Sequence, residues 1–245
     1  MPLRFGGREV NDRFLFELTG GAPALDLVNT LDERRTLAPI ERLTDFGVLV
    51  DWSMQAGVVS SHEAKALLAR ARRNPSSVAN VLERALALRE LFFEMVQALV
   101  AREPLPRTCL NKLNEWIHEA SRHRRLVTHD AGLTWSCGDA STDAEVILWR
   151  LIDSAASIFG SIDLSNRLRV CGGPTCAWAF LDFSRKQNRR WCDMSVCGNR
   201  VKARRHYKRA RTAVKDPSRQ LSAVKPQRRR QRTGRVRNLH GRNER

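Results

Sequence analysis

Four cysteines near the C-terminal end constrain the fold of this chain more than any other feature. Cys171 and Cys176 are separated by four residues, as are Cys192 and Cys197, and fifteen residues lie between the two pairs. Two closely spaced pairs around a hairpin-sized insert are typical of a structural zinc site, because each short loop places two thiolates along one edge of a tetrahedron. Zinc held by four sulfurs has no open coordination position, so the predicted site is structural.

Two other uses of four cysteines remain open at this point. Two disulfides would need an oxidising compartment, and the N-terminal MPLRFGGREV has no apolar signal region, so export is not supported. An iron–sulfur cluster also takes four thiolates, but its usual motifs place three cysteines close together, which this spacing does not. We therefore favour one structural Zn²⁺ per chain. We expect that loss of Cys192 would unfold the metal module and spare the rest of the chain.

The residues around these cysteines resemble a known family. The segments RVCGGPTCAWAFLDFSR and WCDMSVCGNRVKARRHYKR resemble the CGNR zinc finger, whose four name-giving letters are residues 197–200 here. Upstream, PALDLVNTLDERR resembles the start of the ABATE domain, which accompanies this finger in bacterial proteins proposed to be stress-induced transcription regulators. The resemblance covers most of residues 14–212. It implies a treble-clef-like or ribbon-like zinc module with a nucleic-acid role, behind a domain that senses a ligand or a partner.

The formal net charge of +17 is distributed very unevenly over the 245 residues. Residues 1–163 hold 19 Lys and Arg against 22 Asp and Glu, a net charge of −3. Residues 164–197 carry +4, and residues 198–245 carry +16. A mildly acidic body with a strongly basic end is typical of a protein that binds a polyanion. A solvated tail without a partner is the alternative interpretation.

We predict an α+β fold with three parts. Residues 1–163 form a mostly helical, ABATE-like sensor domain with a strand over 14–18 and a β-hairpin over 125–137. Residues 164–214 form the zinc module, and residues 215–245 form a disordered, Arg-rich tail. The predicted helices begin at Pro23 (ALDLVNTLDERR) and cover 43–52 with Thr44 as N-cap, 62–73 with Ser60 or Ser61 as N-cap and Glu63 in its first turn, 77–101, 107–123 and 144–162. The helix over 77–101 has a broad apolar stripe, which leaves a homodimer open.

Three polar residues near the first helix are a candidate ligand pocket: Asp26, Asn29 and Arg34. Helical spacing brings Asp26 and Asn29 close together, and the sensor role implied by the resemblance would place an effector there. The effector could be a small molecule or a protein. A polar helix face that is solvated, or hydrogen-bonded to the next loop, is the interpretation we favour.

Within the zinc module, residues 167–170 alternate like a strand that leads into the first cysteine pair. Residues 177–183 are predicted to form a hairpin strand that returns through 189–192. Its Trp178 and Phe180 would pack over a small core, with base stacking as the alternative. A final helix over 199–214 would turn Ala203, Tyr207, Ala210 and Val214 inward. The candidate nucleic-acid-binding cations are Arg189, Arg190, Arg200, Lys202, Arg204, Arg205, Lys208, Arg209 and Arg211.

These patterns favour a zinc-dependent nucleic-acid-binding protein, with DNA and transcription regulation preferred. An RNA-binding module of the translation machinery is the alternative, because arginine-rich segments fit either polyanion. An enzyme is disfavoured, since the sequence has no Gly-rich phosphate loop, nucleophile elbow or open metal site. No apolar run approaches the roughly 20 residues that cross a bilayer. We expect no membrane partner and a cytoplasmic location, associated with the nucleoid if the target is DNA.

Overall fold

The computed structural model describes residues 6–11, 13–130 and 132–215 of the chain. The predicted disordered tail therefore falls almost wholly outside the described residues. The chain divides into two compact units, Met1–Lys202 and Ala203–Arg245. The first unit holds the helical body together with the cysteine cluster, and the second begins inside the last helix. The predicted domain limits at residues 163 and 214 remain predictions.

Helices make up most of the described chain. The eight α-helices in this part are α1 (Pro23–Val28), α2 (Phe46–Gln55), α3 (Ser61–Arg73), α4 (Val81–Ala101), α5 (Arg107–Ser121), α6 (Val146–Phe159), α7 (Ile162–Arg167) and α8 (Asn199–Lys215). A 3₁₀ turn over Pro75–Val78 precedes α4, and a π turn over Met194–Gly198 precedes α8. None of the described helices is long and apolar enough to cross a membrane.

The strands pair two by two into small antiparallel ladders. Among the described residues these are β1 (Gly7–Val10) with β2 (Arg13–Phe16), β3 (Leu31–Asp32) with β4 (Ile40–Glu41), β5 (Arg124–His129) with β6 (Gly132–Cys137), and β7 (Leu168–Val170) with β8 (Ala179–Leu181). The predicted α+β class is confirmed, as are the strand near Phe14 and the hairpin that ends at Cys137.

Helix α1 is much shorter than its polar–apolar pattern predicts. Pro23 begins it, but it ends at Val28, and the chain enters strand β3 instead of continuing to Arg35. Two polar side chains end the helical path: Thr30 Oγ1 donates to the Leu27 carbonyl, and Asn29 bonds to a distant strand. Side chains that bond outside the helix offer the backbone an alternative to further helical turns.

Local capping sets the start of the next helices. The N-cap of α2 is Asp45, which accepts a hydrogen bond from the Val48 amide at 2.9 Å, so the Thr44 assignment is wrong by one residue. Ser60, one of the two predicted caps, begins α3 in a capping box, in which Ser60 and Glu63 satisfy each other's backbone amides. Such caps are worth about 1 kcal/mol each.

The main core lies where α1, α4 and α6 meet. Helix α6 buries eight residues, including Trp149, and α4 buries Phe92 and Met95 along its stripe. The same apolar cluster also includes Leu168, Ala179 and Leu181, which belong to the segment that carries the cysteines. The cysteine segment is thus packed into the body within the first unit.

Candidate metal centre and nucleic-acid interface

The structure brings the four predicted metal ligands together. The sulfur atoms of Cys171, Cys176, Cys192 and Cys197 all lie within 4.8 Å of one another, and all four residues are buried. Strand β7 leads into Cys171, and the turn after Gly172 carries Cys176. Cys192 precedes the π turn that leads into α8, and Cys197 lies within that turn. No other group of His, Cys, Asp or Glu side chains in the described chain has this geometry.

The sulfur distances fit zinc and exclude disulfides. Cys192 Sγ lies 3.9 Å from Cys176 Sγ and 3.7 Å from Cys197 Sγ. With Zn–S bonds of about 2.3 Å, the edge of a sulfur tetrahedron is about 3.8 Å. A disulfide would need about 2.05 Å. The four cysteines therefore form a site for one structural zinc ion.

The closeness of the four thiols also favours a divalent cation at the centre of the cluster. Hydrogen bonds to Cys171 raise the pKa of Cys192 and of Cys197, and burial adds to the rise. Hydrogen bonds from Cys176 and its neighbours lower the pKa of Cys171. Four thiolates this close repel one another, and a divalent cation among them removes the repulsion and favours the deprotonated ligands.

Backbone amides support the sulfurs at the first cysteine pair. The Gly173 amide donates to Cys171 Sγ and the Trp178 amide donates to Cys176 Sγ, each at 3.4 Å. A Cβ atom at Gly173 would lie 3.0 Å from Cys176 Cβ and 3.3 Å from Cys197 Sγ. Glycine therefore permits the tight approach of the loop to the sulfurs.

Strand β8 joins the metal centre to the body because its faces alternate. Ala179 and Leu181 point into the main core, whereas Trp178 and Phe180 pack with the four cysteines in a second buried cluster. Because successive side chains of a strand point to opposite faces, the short run of residues 178–181 contributes to both buried clusters. The prediction that Trp178 and Phe180 pack over a small core is confirmed, and their burial leaves no ring face for a base.

The predicted hairpin within the module is wrong in its pairing. Strand β8 pairs with β7, and residues 189–192 do not form a strand. Buried Asp182 causes the difference, because it accepts hydrogen bonds from the Ser184 and Arg189 amides and so closes a compact turn. Burial opposes ionisation there, but these bonds hold the pKa of Asp182 below its usual value.

Of the two arginines predicted before Cys192, Arg189 has a structural task. Its guanidinium donates to the Cys192 carbonyl at 2.5 Å and lies 4.6 Å from the centre of the Phe180 ring. Arg190 is exposed and lies 5.7 Å from the Trp191 ring. Arg189 therefore stabilises the second cysteine pair, while Arg190 faces solvent.

The turn that carries Cys197 is capped from inside the module. Asp193 accepts from the Val196 amide at 2.9 Å and from the Ser195 hydroxyl at 2.5 Å. These bonds, that from Ser195 first, hold the pKa of Asp193 below its usual value. The Cys197 and Gly198 amides both donate to the Asp193 carbonyl. Cys197 thus lies at the start of the terminal helix, as predicted.

Helix α8 carries most of the predicted nucleic-acid-binding cations. Arg200 is half-buried, and the exposed side chains are Lys202, Arg204, Arg205, Lys208, Arg209 and Arg211. The expected inward stripe is wrong for its described members, because Ala203 and Ala210 are exposed and Tyr207 is 72% exposed. The side chain of Val214 lies outside the described part of the chain.

The candidate pocket residues are engaged with protein groups. Asp26 accepts a hydrogen bond from the Gly20 amide at 2.8 Å, and burial raises the pKa of its carboxyl to about 7. Asn29 is 4% exposed and bonds to both backbone groups of Ala179. Arg34 pairs with Glu90 and lies 4.1 Å from the centre of the Phe93 ring. The geometry favours the interpretation of a hydrogen-bonded polar face.

Two neighbouring residues were not selected from the sequence, although they bond to the metal module. Arg35 Nη1 donates to the carbonyls of Cys171 and Gly173, each at 3.1 Å. Asp32 is fully buried, and burial raises its pKa while hydrogen bonds with Arg42 and Trp178 oppose the rise. The available local signal is the spacing, because polar residues recur at every third position from 26 to 35.

Comparison with known families gives two matches. Residues 21–161 match ABATE, described as "Putative stress-induced transcription regulator". Residues 167–210 match the CGNR zinc finger. The two matches follow one another along the chain in the predicted order. Comparison with curated proteins returns no match.

Proposed function

The chain belongs to the ABATE family and carries a CGNR zinc finger over residues 167–210, and on that basis we propose that it is a zinc-dependent, DNA-binding transcription regulator. The coarser function, a zinc-binding regulator, follows from the two families and the four-cysteine site. DNA as the target, and a body that senses an effector, are our further assignments. Such a regulator would act in the cytoplasm, in association with the nucleoid.

One observation supports DNA binding above all others. Helix α8 begins two residues after the metal ligand Cys197, and its cationic side chains from Lys202 to Arg211 are exposed. No Asp or Glu occurs between residues 194 and 215, so every charged side chain along the helix is basic. Arginine and lysine on a helix suit both phosphate contacts and the edges of guanine in the major groove.

We assign distinct tasks to the predicted cations. Zinc fixes Cys197 and with it the first turn of the helix, which stabilises a segment too small to fold by burial alone. The exposed cations of α8 and Arg190 would contact the nucleic acid, and Arg189 would hold the second cysteine pair. Residues 216–245 contribute ten more Lys and Arg, which would add a sequence-independent electrostatic attraction.

We propose no catalytic role for the zinc site. A site with four thiolates leaves zinc no open position for a water molecule. Neither matched family is described as enzymatic.

Selection of bound sequences from mixed DNA and RNA pools tests the proposal. We expect enrichment of double-stranded DNA that shares a sequence, because the family description names transcription. Enrichment of single-stranded RNA would instead support the RNA-binding alternative. Recovery of neither above the input pool would refute nucleic-acid recognition.

Salt titration on the selected target tests which residues bind. A fourfold variant, Arg204→Ala with Arg205→Ala, Lys208→Ala and Arg209→Ala, should lose about a hundredfold or more in affinity and flatten the salt dependence. The matched control removes four exposed body cations: Lys65, Arg72, Arg73 and Arg107. It should bind nearly as the unaltered protein does. Deletion of residues 216–245 should also flatten the salt dependence. Equal losses in the fourfold variant and its control would contradict the assignment.

For the effector we propose the cavity between α4 and α5 in place of the Asp26 region. This cavity has a volume of about 630 Å³, within the range of small-molecule sites. Its lining combines Trp116 and Leu91 with charged groups that include Glu94 and Lys112. A small polar molecule with an apolar part would fit this lining.

A thermal-shift screen tests the effector site. A true ligand should raise the melting temperature of the protein, and Lys112→Ala should remove that rise while Lys65→Ala keeps it. A compound that raises the melting temperature of Lys112→Ala as much as that of the unaltered protein would bind elsewhere. A screen without hits would oppose a small-molecule effector.

A further inference from the structure

Three polar side chains of one short segment contact the zinc module, and a fourth is linked to it through Gly20. They recur every third residue, and we call them the docking strip: Asp26, Asn29, Asp32 and Arg35. The segment includes the L-D-x-V-N-T run that identified the start of the body. All four belong to the same compact unit as the cysteines.

Asn29 is the central contact of the docking strip. Its Nδ2 donates to the Ala179 carbonyl at 2.9 Å, and its Oδ1 accepts from the Ala179 amide at 2.8 Å. One side chain thus satisfies both backbone groups of a β8 residue, as a neighbouring strand would. Buried backbone groups need such partners, because water cannot reach them. The contact holds the residue that lies between Trp178 and Phe180, which pack on the cysteines.

The other members extend the same contact in both directions. Asp26 holds the Gly20 amide, and the Gly20 carbonyl accepts from the Leu181 amide at 2.9 Å. The Asp32 carboxylate interacts with the Trp178 side chain. The docking strip therefore contacts Trp178 and Ala179 directly, and it supports Leu181 through the backbone of Gly20.

Arg35 reaches the cysteine loop itself. Its guanidinium donates to the carbonyls of Cys171 and Gly173, and its backbone amide donates to the Thr175 carbonyl at 3.3 Å. These three carbonyls belong to the loop whose amides support the sulfurs. A charged donor to carbonyls makes a stronger hydrogen bond than a neutral donor, so Arg35 restrains the loop.

We infer that the docking strip positions the zinc site, so that the body and the metal module retain zinc as one cooperative unit. Asn29 and Arg35 are positioning residues that act on the ligands through the backbone of residues 171–179. By thermodynamic linkage, zinc binding must then stabilise the body as much as the body strengthens zinc binding. This differs from the expectation that loss of a ligand spares the body, and it is independent of nucleic-acid binding.

The rate of zinc loss from the full-length protein tests the inference. We expect zinc to transfer to an excess of chelator about tenfold faster from Asn29→Ala and several-fold faster from Arg35→Ala. Arg35→Lys should restore part of the retention, since lysine can donate to one carbonyl. Arg34→Ala is the matched control, because Arg34 pairs with Glu90 on the body and should leave the rate within about twofold.

Two further measurements separate positioning from general destabilisation. In the Co²⁺-substituted protein, Arg35→Ala should change the visible absorption of the thiolate-bound metal, and Arg34→Ala should not. Removal of zinc from the unaltered protein should lower the melting temperature of the helical signal, as linkage requires. Where Asn29→Ala fails to fold, Arg35→Ala decides the rate test. Equal rates in the variants and the unaltered protein, or a helical melt indifferent to zinc, would overturn the inference.

Discussion

Arginines of the body and arginines of helix α8 have the same side chain but opposite surroundings. In the body, Arg84, Arg89 and Arg150 each bond to one or more glutamates from other elements. Residues 194–215 hold eight further Lys and Arg and no Asp or Glu. The first group is neutralised inside the fold, whereas the second has no acidic neighbour along its helix.

The difference shows that the placement of acids, more than the number of bases, separates stability from recognition. A guanidinium that is paired and partly buried fixes the elements around it. A row of exposed cations instead raises the local potential and attracts a polyanion.

Removal of a zinc ligand should have the largest effect. Cys192→Ser leaves three thiolates, so the protein should retain less than about a tenth of its zinc, and structural zinc contributes roughly 10–16 kcal/mol. The cations of α8 then lose their fixed start, and nucleic-acid affinity should fall to the sequence-independent level. Metal analysis and binding to the selected target measure both effects.

Cys109→Ser is the matched control for this prediction. Cys109 is buried in the main core and lies outside the four-cysteine cluster. This variant should keep its zinc and its binding. Full binding by zinc-free Cys192→Ser would mean that the cationic helix works without its metal support.

Breaking a buried body pair should come next. The side chain of Arg89 is 5% exposed and makes two 2.7 Å bonds to Glu41. Arg89→Ala leaves Glu41 and Thr30 without these partners, so the free energy of unfolding should fall by about 3 kcal/mol. Arg89→Met should cost less, because it keeps the apolar stem. Denaturant titration measures both free energies of unfolding. A loss for Arg89→Ala smaller than that for the exposed Arg13–Asp51 pair would contradict the role of burial.

Asp26 is the converse of the Arg89 pair, because it is a buried carboxylate whose hydrogen bond comes from a backbone amide. Burial raises the pKa of Asp26 to about 7, so the folded state favours the protonated acid. The stability that this gives is present below the unfolded pKa near 4 and is lost as the pH rises through 7. Asp26→Asn should remove that fall, which linkage places at a few kcal/mol.

Glu63 should show the opposite sign in the same pH series. Hydrogen bonds from Arg150 lower the pKa of Glu63 to about 2. Its stabilisation is therefore present above the unfolded pKa and is lost as the pH falls from about 4.5 towards 2. Glu63→Gln should flatten the acid limb of the stability profile and leave the alkaline limb unchanged. Identical profiles for the two variants would contradict these assignments.

The smallest effect is expected at an exposed pair. Arg13 bonds to Asp51 at 2.5 Å, but their side chains are 45% and 32% exposed. Arg13→Ala should lower the free energy of unfolding by less than about 1 kcal/mol, because solvent screens the pair. Added salt should reduce even this difference. A loss equal to that of Arg89→Ala would remove burial as the explanation.

The sequence by itself determined the features that arise from nearby residues. Cysteine spacing predicted the zinc site, because two ligands in one short loop need only local geometry. Ser60 or Ser61 predicted the start of α3 in the same way, since an N-cap bonds to an amide only a few residues away. Counting charges separated the acidic body from the basic end without any structure.

Only the tertiary structure decided which distant groups meet. Asn29 and Ala179 are 150 positions apart, and their side-chain and backbone bonds carry no local pattern. The pairing of β8 with β7 and the exposure of Tyr207 likewise depended on which surfaces the rest of the chain covers. Local periodicity states which groups share a face, but the partner of that face is chosen by the packing of the whole unit.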